Sequence, residues 1–452
     1  MDFLGKNVLV CGLARSGISA SLLLKKLGAN VTLQDIKERE KIKDNLTILE
    51  NEGINLYLGK NPDEILEDQD FVVVSPGIPC DLPFFKLATN MHIPIFGEVE
   101  LAFRLCKANV VAITGTNGKT TVTTLTGEIF KKHRSTNEIV GNIGVPFTEK
   151  VLDLKEEDYA VVETSSFQLE TIRQFKPKIS AVLNITPDHL DRHKTFENYV
   201  ATKERIFENQ GENDFVVLNY DDPNCRKMKE KTNANVIFFS RKEQLSEGIF
   251  LKEGCIVVKE KDKEEIRAIN TKDIKILGDH NIENVMAAIG LSLCANIPYD
   301  IIRNVIMEFR SLDHRIEYVT TINDIEFYND SKGTNVDCAI KSVEAMRRPI
   351  VLIGGGYDKG SDFSDWVKTF DNRVKHIIIL GEASDKIIET CKLYNFHDYY
   401  KVHSLKEAIE LAFSKAEKGD CILLSPACAS WDMFDDYEQR GNMFKEFVLN
   451  LA

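Results

Sequence analysis

The stretch Val110-Val-Ala-Ile-Thr-Gly-Thr-Asn-Gly-Lys-Thr-Thr121 decides how the chain is read. A β-branched apolar run ends at Thr114, two glycines and a lysine follow, and Val122, Leu125 and Ile129 then recur at helical spacing. The pattern predicts strand, tight loop and helix start. Such a loop aims backbone N–H groups and a helix N-terminus at one point, which favours bound phosphate. Gly115, Thr116, Asn117, Gly118, Lys119, Thr120 and Thr121 are the candidate nucleotide contacts. Lys119 would reach the β- and γ-phosphates, and the Thr120 hydroxyl would ligand Mg²⁺. Two residues separate Gly115 from Gly118, whereas the general phosphate-loop pattern has four. An ordinary glycine-rich turn between strand and helix has the same outline.

At 452 residues the chain exceeds one typical core, and two or three domains are expected. With 43% hydrophobic and 28% charged residues it falls among globular proteins, and disorder does not dominate. The net charge of −13 argues against a generic nucleic-acid or anionic-membrane binder, so an anionic substrate would need locally placed cations. Ten cysteines are scattered singly without a CxxC pair, which suits free thiols in a reducing cytoplasm. The opening Met1-Asp-Phe-Leu-Gly-Lys6 has no basic-then-apolar targeting pattern, and apolar runs are strand-length, so a cytoplasmic location without membrane insertion is expected.

Residues 1–97 read as a Rossmann-like domain. Asn7-Val-Leu-Val-Cys11 is a strand, Ile18, Leu22, Leu23 and Leu27 mark a helix, and Val31-Thr-Leu-Gln-Asp35 is a strand ending in an acid. Phe71-Val-Val-Val-Ser-Pro-Gly77 runs into a turn. The fingerprint Gly12-Leu-Ala-Arg-Ser-Gly17 has Ala14 where a pyrophosphate-binding backbone wants glycine, which disfavours an NAD-dependent oxidoreductase. Asp35 and the Ser75–Ile78 turn would lie at strand C-termini, where open α/β sheets bind ligands, or would be plain loop residues.

Residues 98–311 hold the phosphate-loop candidate on a mixed sheet of the P-loop ATPase type. Tyr159-Ala-Val-Val-Glu163 is a strand ending in a carboxylate suited to Mg²⁺. Ile179-Ser-Ala-Val-Leu-Asn-Ile185 is another, with Thr186 and Pro187 expected as a helix N-cap and first turn. His189 and His193, four apart, invite zinc, but no third ligand accompanies them; His189 is the nearer to a phosphate-bound metal. Lys203 falls within the apolar stripe formed by Phe196, Tyr199, Val200, Ile206 and Phe207. It either snorkels to water or is delivered into a site as a desolvated amine, nucleophilic even toward CO₂. Residues 248–259 read as a hairpin followed by a solvated turn, and a helix is expected from Asp279 with Asn281 and Asn284 sharing a face, whether as one ligand's contacts or as plain surface.

Residues 312–452 imply a second Rossmann-like sheet, with strands at 325–328, 350–353, 376–380 and 421–424. Polar loops follow at 329–335, 354–360, 381–382 and 425–430 and would collect on one edge, and Arg315 in the linker would reach a phosphate.

Together, Thr114-Gly-Thr-Asn-Gly-Lys-Thr120, Glu163-Thr-Ser-Ser-Phe-Gln-Leu-Glu170, Asp188-His189, Asp313-His-Arg315 and Asn329-Asp-Ser-Lys332 resemble the Mur ligases, ATP-dependent amide-forming enzymes of peptidoglycan synthesis. The runs 165–170, 329–335 and 424–430 most resemble the members that add D-glutamate, and the short phosphate loop is the form this family uses. The resemblance implies an α/β fold of three domains, UDP-N-acetylmuramoyl-L-alanine and D-glutamate as substrates, ATP and two Mg²⁺, and a monomer. It implies that Ser16, Gly17, Asp35, Ser75, Asn142 and Ser165 hold the UDP substrate, and that Lys119, Thr120, Asn281, Asn284, Arg315 and Asp330 hold ATP. Glu163 and His189 would bind Mg²⁺, with Lys203 as a carbamate bridging to a second ion. Lys332, Thr334, Lys359, Ser430, Trp431 and Tyr437 would receive D-glutamate. Trp431 and Tyr437 replace a common Leu and Phe, and Ile36 a small polar residue near the uracil, which puts pocket shape in question but not the reaction. The alternatives are a Mur ligase of another step, a folylpolyglutamate-synthetase-like ligase, and a nucleotide-sensing switch that makes no amide.

Overall fold

The computed structural model describes residues 2–42 and 46–451; Met1, the first residue of the stretch read for targeting, lies outside them. The chain forms two compact units, one of residues 2–271 with 283–306, the other of 272–282 with 307–451. The architecture is α/β, with three sheets.

The first sheet holds β1 (Asn7–Cys11), β2 (Asn30–Asp35), β3 (Asn55–Leu58), β4 (Phe71–Val74) and β5 (Ile95–Gly97) in the order β3-β2-β1-β4-β5, all parallel. Val8, Val10, Val31, Leu33 and Val73 are buried with Leu24 of the helix Arg15–Lys26. The order reverses at β1, which lies between β2 and β4, so the loops after β1 and β4 flank a topological switch point, where such sheets bind ligands. Gly17 is required there by close approach, because a Cβ on it would strike the Gly12 carbonyl oxygen.

The second sheet holds β6 (Asn109–Thr114), β7 (Glu138–Gly141), β8 (Tyr159–Glu163), β9 (Ile179–Val182), β10 (Phe215–Asn219), β11 (Asn235–Ser240), β12 (Gly248–Lys252), β13 (Cys255–Lys259) and β14 (Ile266–Asn270). Its order is β14-β13-β12-β11-β10-β9-β6-β8-β7, parallel from β7 through β12 and antiparallel beyond. The expected hairpin is β12–β13, and β14 extends it. Here β6 is the switch strand, with β9 and β8 as neighbours, so the loops after β6, β8 and β9 share one edge.

Both sheets belong to one unit, joined through buried polar contacts. Ser19 Oγ lies 2.8 Å from Thr148 Oγ1, and Glu98 Oε1 accepts from Thr148 N at 2.7 Å. The buried Glu100 carboxylate accepts from the backbone N–H groups of Arg173, Gln174 and Phe175 and from Arg104 Nε. A carboxylate so satisfied costs far less to bury than a bare one.

In the other unit, β15 (Glu317–Ile322), β16 (Ile325–Asn329), β17 (Ile350–Gly355), β18 (Val374–Leu380), β19 (Tyr399–Lys401) and β20 (Cys421–Leu424) are ordered β15-β16-β20-β17-β18-β19. All pairs are parallel except β15–β16. Trp366, Phe363 and Phe370 fill one face, while Phe327, Ile353, Phe444 and Val448 fill the other. Strand β15, at the sheet edge, has only half-buried and exposed residues, so its apolar signal is faint and no apolar run marks it.

Candidate active site

The phosphate loop forms as expected. Strand β6 is buried from Val110 through Thr114, with Asn109 half-buried at its start, and the helix Lys119–His133 starts from Gly118. Gly118 has φ 84°, a left-handed conformation that suits glycine, and a Cβ on it would collide with Asn284 Oδ1. Asn284 therefore packs directly on the loop. Asn281, one turn earlier in the helix Asp279–Cys294, donates its amide to Leu277 O at 2.6 Å.

A residue that sequence reasoning missed braces the loop. Asn184 accepts from Asn117 N at 2.8 Å, donates to Asn117 O at 3.0 Å, and receives Thr116 N on its own carbonyl at 2.9 Å. Its signal was a lone amide inside the apolar run 179–185, visible but ambiguous. The Thr116 hydroxyl turns inward: it donates to Thr186 O, accepts from Thr186 N, and meets Tyr199 OH at 3.1 Å. The Thr116 backbone is engaged as well, its N–H on Asn184 O and its carbonyl on Lys119 Nζ. The hydroxyl's bonds correct the expected cap, since Thr186 spends its backbone on Thr116 and the short helix starts later, at Leu190. Thr120 and Thr121 are buried in the first helical turn.

Two lysines converge on one atom. Lys119 Nζ donates to Gly115 O at 2.9 Å and to Thr116 O at 2.8 Å, and Lys203 Nζ donates to the same Gly115 O at 2.8 Å. Lys203 is 1% exposed, lies 3.4 Å from Thr114 Oγ1, and sits 4.8 Å from the Tyr199 ring centre. Lys203 does not snorkel to water: its amine ends buried against the phosphate loop. Burial, reinforced by the neighbouring Lys119 charge, drives its amine well below the ordinary lysine value, against the pull of Asp188 and Glu163. Two ammonium groups on one carbonyl repel, and the desolvated one is the one to lose its proton.

Glu163, at the end of β8, is 2% exposed. One oxygen accepts from Asn142 Nδ2 at 2.8 Å, while Oε2 is buried with no hydrogen-bond partner among the described residues. Such an oxygen is costly unless a cation meets it. With the Thr120 hydroxyl it offers hard oxygen donors, which suit Mg²⁺. Among the described residues no three His, Cys, Asp or Glu side chains cluster to hold a metal, so an ion here would complete its shell from phosphate and water.

The histidines separate in role. His189 takes a left-handed backbone (φ 53°), lies edge-on to Phe167 at 4.9 Å, and is 42% exposed at its side chain. His193 is buried, 3.0 Å from Ser166 Oγ and 3.5 Å from Glu170 Oε1, and burial lowers its pKa. Ser165 caps the helix Ser166–Leu169 in a reciprocal capping box with Gln168.

At the first sheet's switch point, Ser75 Oγ donates to Gly12 O at 3.0 Å, and Asp35 accepts from Leu13 N at 2.8 Å and Lys37 N at 2.9 Å. These residues, with half-buried Ser16 and buried Gly17, shape the turn where the UDP substrate was expected, and Ile36, next to Asp35, is exposed.

In the second unit, the loops after β16 and β20 meet around Arg440, which sequence reasoning also missed. It is buried, donates to Ser331 Oγ and O and to Cys428 O and Ala429 O, and desolvation lowers its pKa to about 10. Lys332 Nζ lies 5.0 Å from the Tyr437 ring centre, and Lys359 Nζ 5.4 Å from that of the exposed Trp431. Thr334 N donates to Lys332 O, and Ser430 is buried. Asp330 accepts from Ser342 Oγ (2.6 Å), Ser425 Oγ (2.8 Å) and Ile316 N (3.3 Å), and its partners include the charge of Arg315. Burial outweighs these bonds and raises its pKa to about 6. A carboxyl raised in the fold stabilises it fully below the unfolded value and loses that stabilisation as pH climbs through the folded value. Wild type is therefore expected to lose about 3 kcal/mol between about pH 4 and pH 6 from this group, at roughly 1.4 kcal/mol per unit. Asp330→Asn should flatten that part of a melting-temperature-against-pH curve, and identical curves would refute the assignment.

Three family models match in succession along the chain: the MurD-like N-terminal domain at residues 6–97, the Mur ligase middle domain at 113–292, and the Mur ligase glutamate ligase domain at 314–428. The chain belongs to the Mur ligase family. This Mur ligase is 48% identical over 454 residues, covering 100% of both chains, to a UDP-N-acetylmuramoylalanine–D-glutamate ligase of Alkaliphilus oremlandii. It is 48% identical over 453 residues to one of Thermoanaerobacter sp., again over 100% of each. Among solved structures, its fold matches MurC of Thermotoga maritima with TM-score 0.63 at 18% identity, over 99% of this chain and 100% of that one. MurF of T. maritima in complex with ADP matches with TM-score 0.60 at 16% identity, over 99% and 96%. Among the described residues no helix is long and apolar enough to cross a membrane.

Proposed function

We propose that this Mur ligase joins D-glutamate to the alanyl carboxylate of UDP-N-acetylmuramoyl-L-alanine with cleavage of ATP, as a monomer in the cytoplasm, in peptidoglycan precursor synthesis. The observation that carries it is the convergence of Lys119, Lys203 and Glu163 on the edge formed by β6, β8 and β9. Relatives 48% identical over the full length, named for this reaction, support it.

The alanyl carboxylate attacks the γ-phosphorus, the bond to the β–γ bridging oxygen breaks, and ADP leaves an acyl phosphate behind. The D-glutamate amine then attacks the acyl carbon, forms a tetrahedral intermediate, and the C–O bond to phosphate breaks as the nitrogen loses its proton. Both reactants of the first step are anions, so positioned cations carry much of the acceleration. Lys119, with Gly115, Thr116, Asn117, Gly118, Thr120, Thr121, Asn281, Asn284, Arg315 and Asp330, would hold ATP. Ser16, Gly17, Asp35, Ser75, Asn142 and Ser165 would hold the UDP substrate. Lys332, Thr334, Lys359, Ser430, Trp431 and Tyr437 would receive D-glutamate, whose two carboxylates match two lysines. Glu163, Thr120, His189 and Lys203 as its carbamate would hold two Mg²⁺, which when bound neutralise phosphate charge.

The test is ADP release from purified protein. Release is expected only when both UDP-N-acetylmuramoyl-L-alanine and D-glutamate are present, and L-glutamate or a folate acceptor should not substitute. Release indifferent to D-glutamate would sink the proposal.

A further inference from the structure

Arg192 lies in a one-turn helix, Leu190–His193, immediately after His189. Its guanidinium reaches the first sheet, donating from Nη2 to Ile78 O at 2.8 Å and from Nη1 to Gly77 O at 3.4 Å. The other side of the fork grips Glu170, with Nε at 3.2 Å from both carboxylate oxygens and Nη2 at 2.5 Å from Oε2. The plane lies 5.1 Å from the Phe167 ring centre, and the two charged side chains are only 13% and 15% exposed. Three segments thus meet at one planar group: the turn after β4, the segment that follows Glu163 at the end of β8, and the segment after β9 that carries His189. His193, held 3.5 Å from Glu170 Oε1, fastens the far end of the same helical turn. Non-glycine residues flank that turn in positive-φ conformations, His189 at 53° and Lys194 at 69°, and such conformations persist only where surrounding contacts over-determine them.

We infer that Arg192, locked to Glu170, is a positioning residue that sets the Ser75–Ile78 turn against the His189 segment and so fixes where the acceptor's carboxylate lies relative to the phosphate loop. The inference rests on the proposed ligase reaction. A guanidinium suits the task because its rigid fork bonds two carbonyls and a carboxylate at once, which a lysine ammonium cannot reproduce. Arg192 itself donates to backbone and to Glu170, not to a reacting atom.

The experiment compares wild type, Arg192→Ala, Arg192→Lys and Glu170→Gln in steady-state assays with each substrate varied in turn. Arg192→Ala is expected to raise the KM for UDP-N-acetylmuramoyl-L-alanine and lower kcat, for a combined loss of about 100-fold, the size of a roughly 1 Å misplacement. The KM for ATP and for D-glutamate should stay within about twofold, as the phosphate loop is braced by Asn184 and not by Arg192. Arg192→Lys should recover part of the loss, Glu170→Gln should show the same pattern more weakly, and free guanidinium at low millimolar concentration should partly restore Arg192→Ala. An unchanged acceptor KM in Arg192→Ala overturns the inference. So does an equal rise in all three KM values with no relief from lysine or guanidinium, since that marks general damage. A wild-type chain that forms no D-glutamyl product defeats the ligase reading separately. The clamp is then read at Cys80, whose Sγ lies 4.0 Å from Arg192 Nη2. The rate constant of its thiolate with a neutral reagent, taken from the pH dependence so that the loss of Arg192's charge is separated from access, should rise several-fold in Arg192→Ala, and an unchanged thiolate rate constant overturns the clamp.

Discussion

Replacing Lys203 by alanine is expected to lower turnover by about 10³-fold, within the range seen when a preorganised charge is removed from a transition-state site. The amine is buried, shares the Gly115 carbonyl with Lys119, and is driven toward its neutral form. A neutral amine adds to CO₂: the N–C bond forms, one C=O π bond opens onto oxygen, and nitrogen gives up its proton. On Lys203 the product would be a carbamate anion near Glu163, whose charge acts on the amine and whose Oε2 has no partner among the described residues. Alanine leaves a space at this spot, so formate or acetate at tens of millimolar should restore a measurable part of the activity. Lys203→Arg should be as inactive and resist rescue, because a guanidinium keeps its charge and fills the space. Turnover of Lys203→Ala within tenfold of wild type would remove this role.

Lys119→Met is expected to lose about 10²- to 10³-fold in kcat, or roughly 3–4 kcal/mol of transition-state stabilisation. The ammonium already lies on the Gly115 and Thr116 carbonyls, so it is preorganised at the loop before any phosphate arrives. A second consequence follows from its charge. Lys119 is the largest electrostatic cause, after burial, of the depressed Lys203 pKa. Its removal raises that pKa, leaves less neutral amine at a given pH, and shifts the rising limb of the remaining pH–rate profile to higher pH. The Lys119→Met, Lys203→Ala double variant should therefore lose less than the product of the single losses. A profile that keeps its position, or strictly multiplicative losses, would separate the two lysines.

Much of the site was legible because it is local. The phosphate loop needs consecutive residues, Gly115 to Thr121, and its reading survives in the left-handed Gly118 and the helix that starts at Lys119. Glu163 at a strand end and Lys203 within an apolar stripe were also readable, since strand and helix periods fix which way a side chain points. The helix start after β9 was misread at Thr186, because nothing nearby in sequence reveals that Thr116 takes both its backbone groups. The His189–His193 spacing likewise suggested a pair, yet Glu170 and Ser166 claim His193.

The sequence alone determined the α/β class, the parallel wiring of the sheets, the phosphate loop and the family, all of which depend on short-range periodicity and contiguous motifs. Only the tertiary structure decided that Lys203 and Lys119 share one carbonyl, that Asn184 braces the loop, that Arg440 ties two loops together, and that Arg192 spans two sheets. Each of these joins segments separated in the chain by anything from about ten to more than a hundred residues. Their energies come from desolvation and hydrogen bonding at distances that exist only after the sheets have formed.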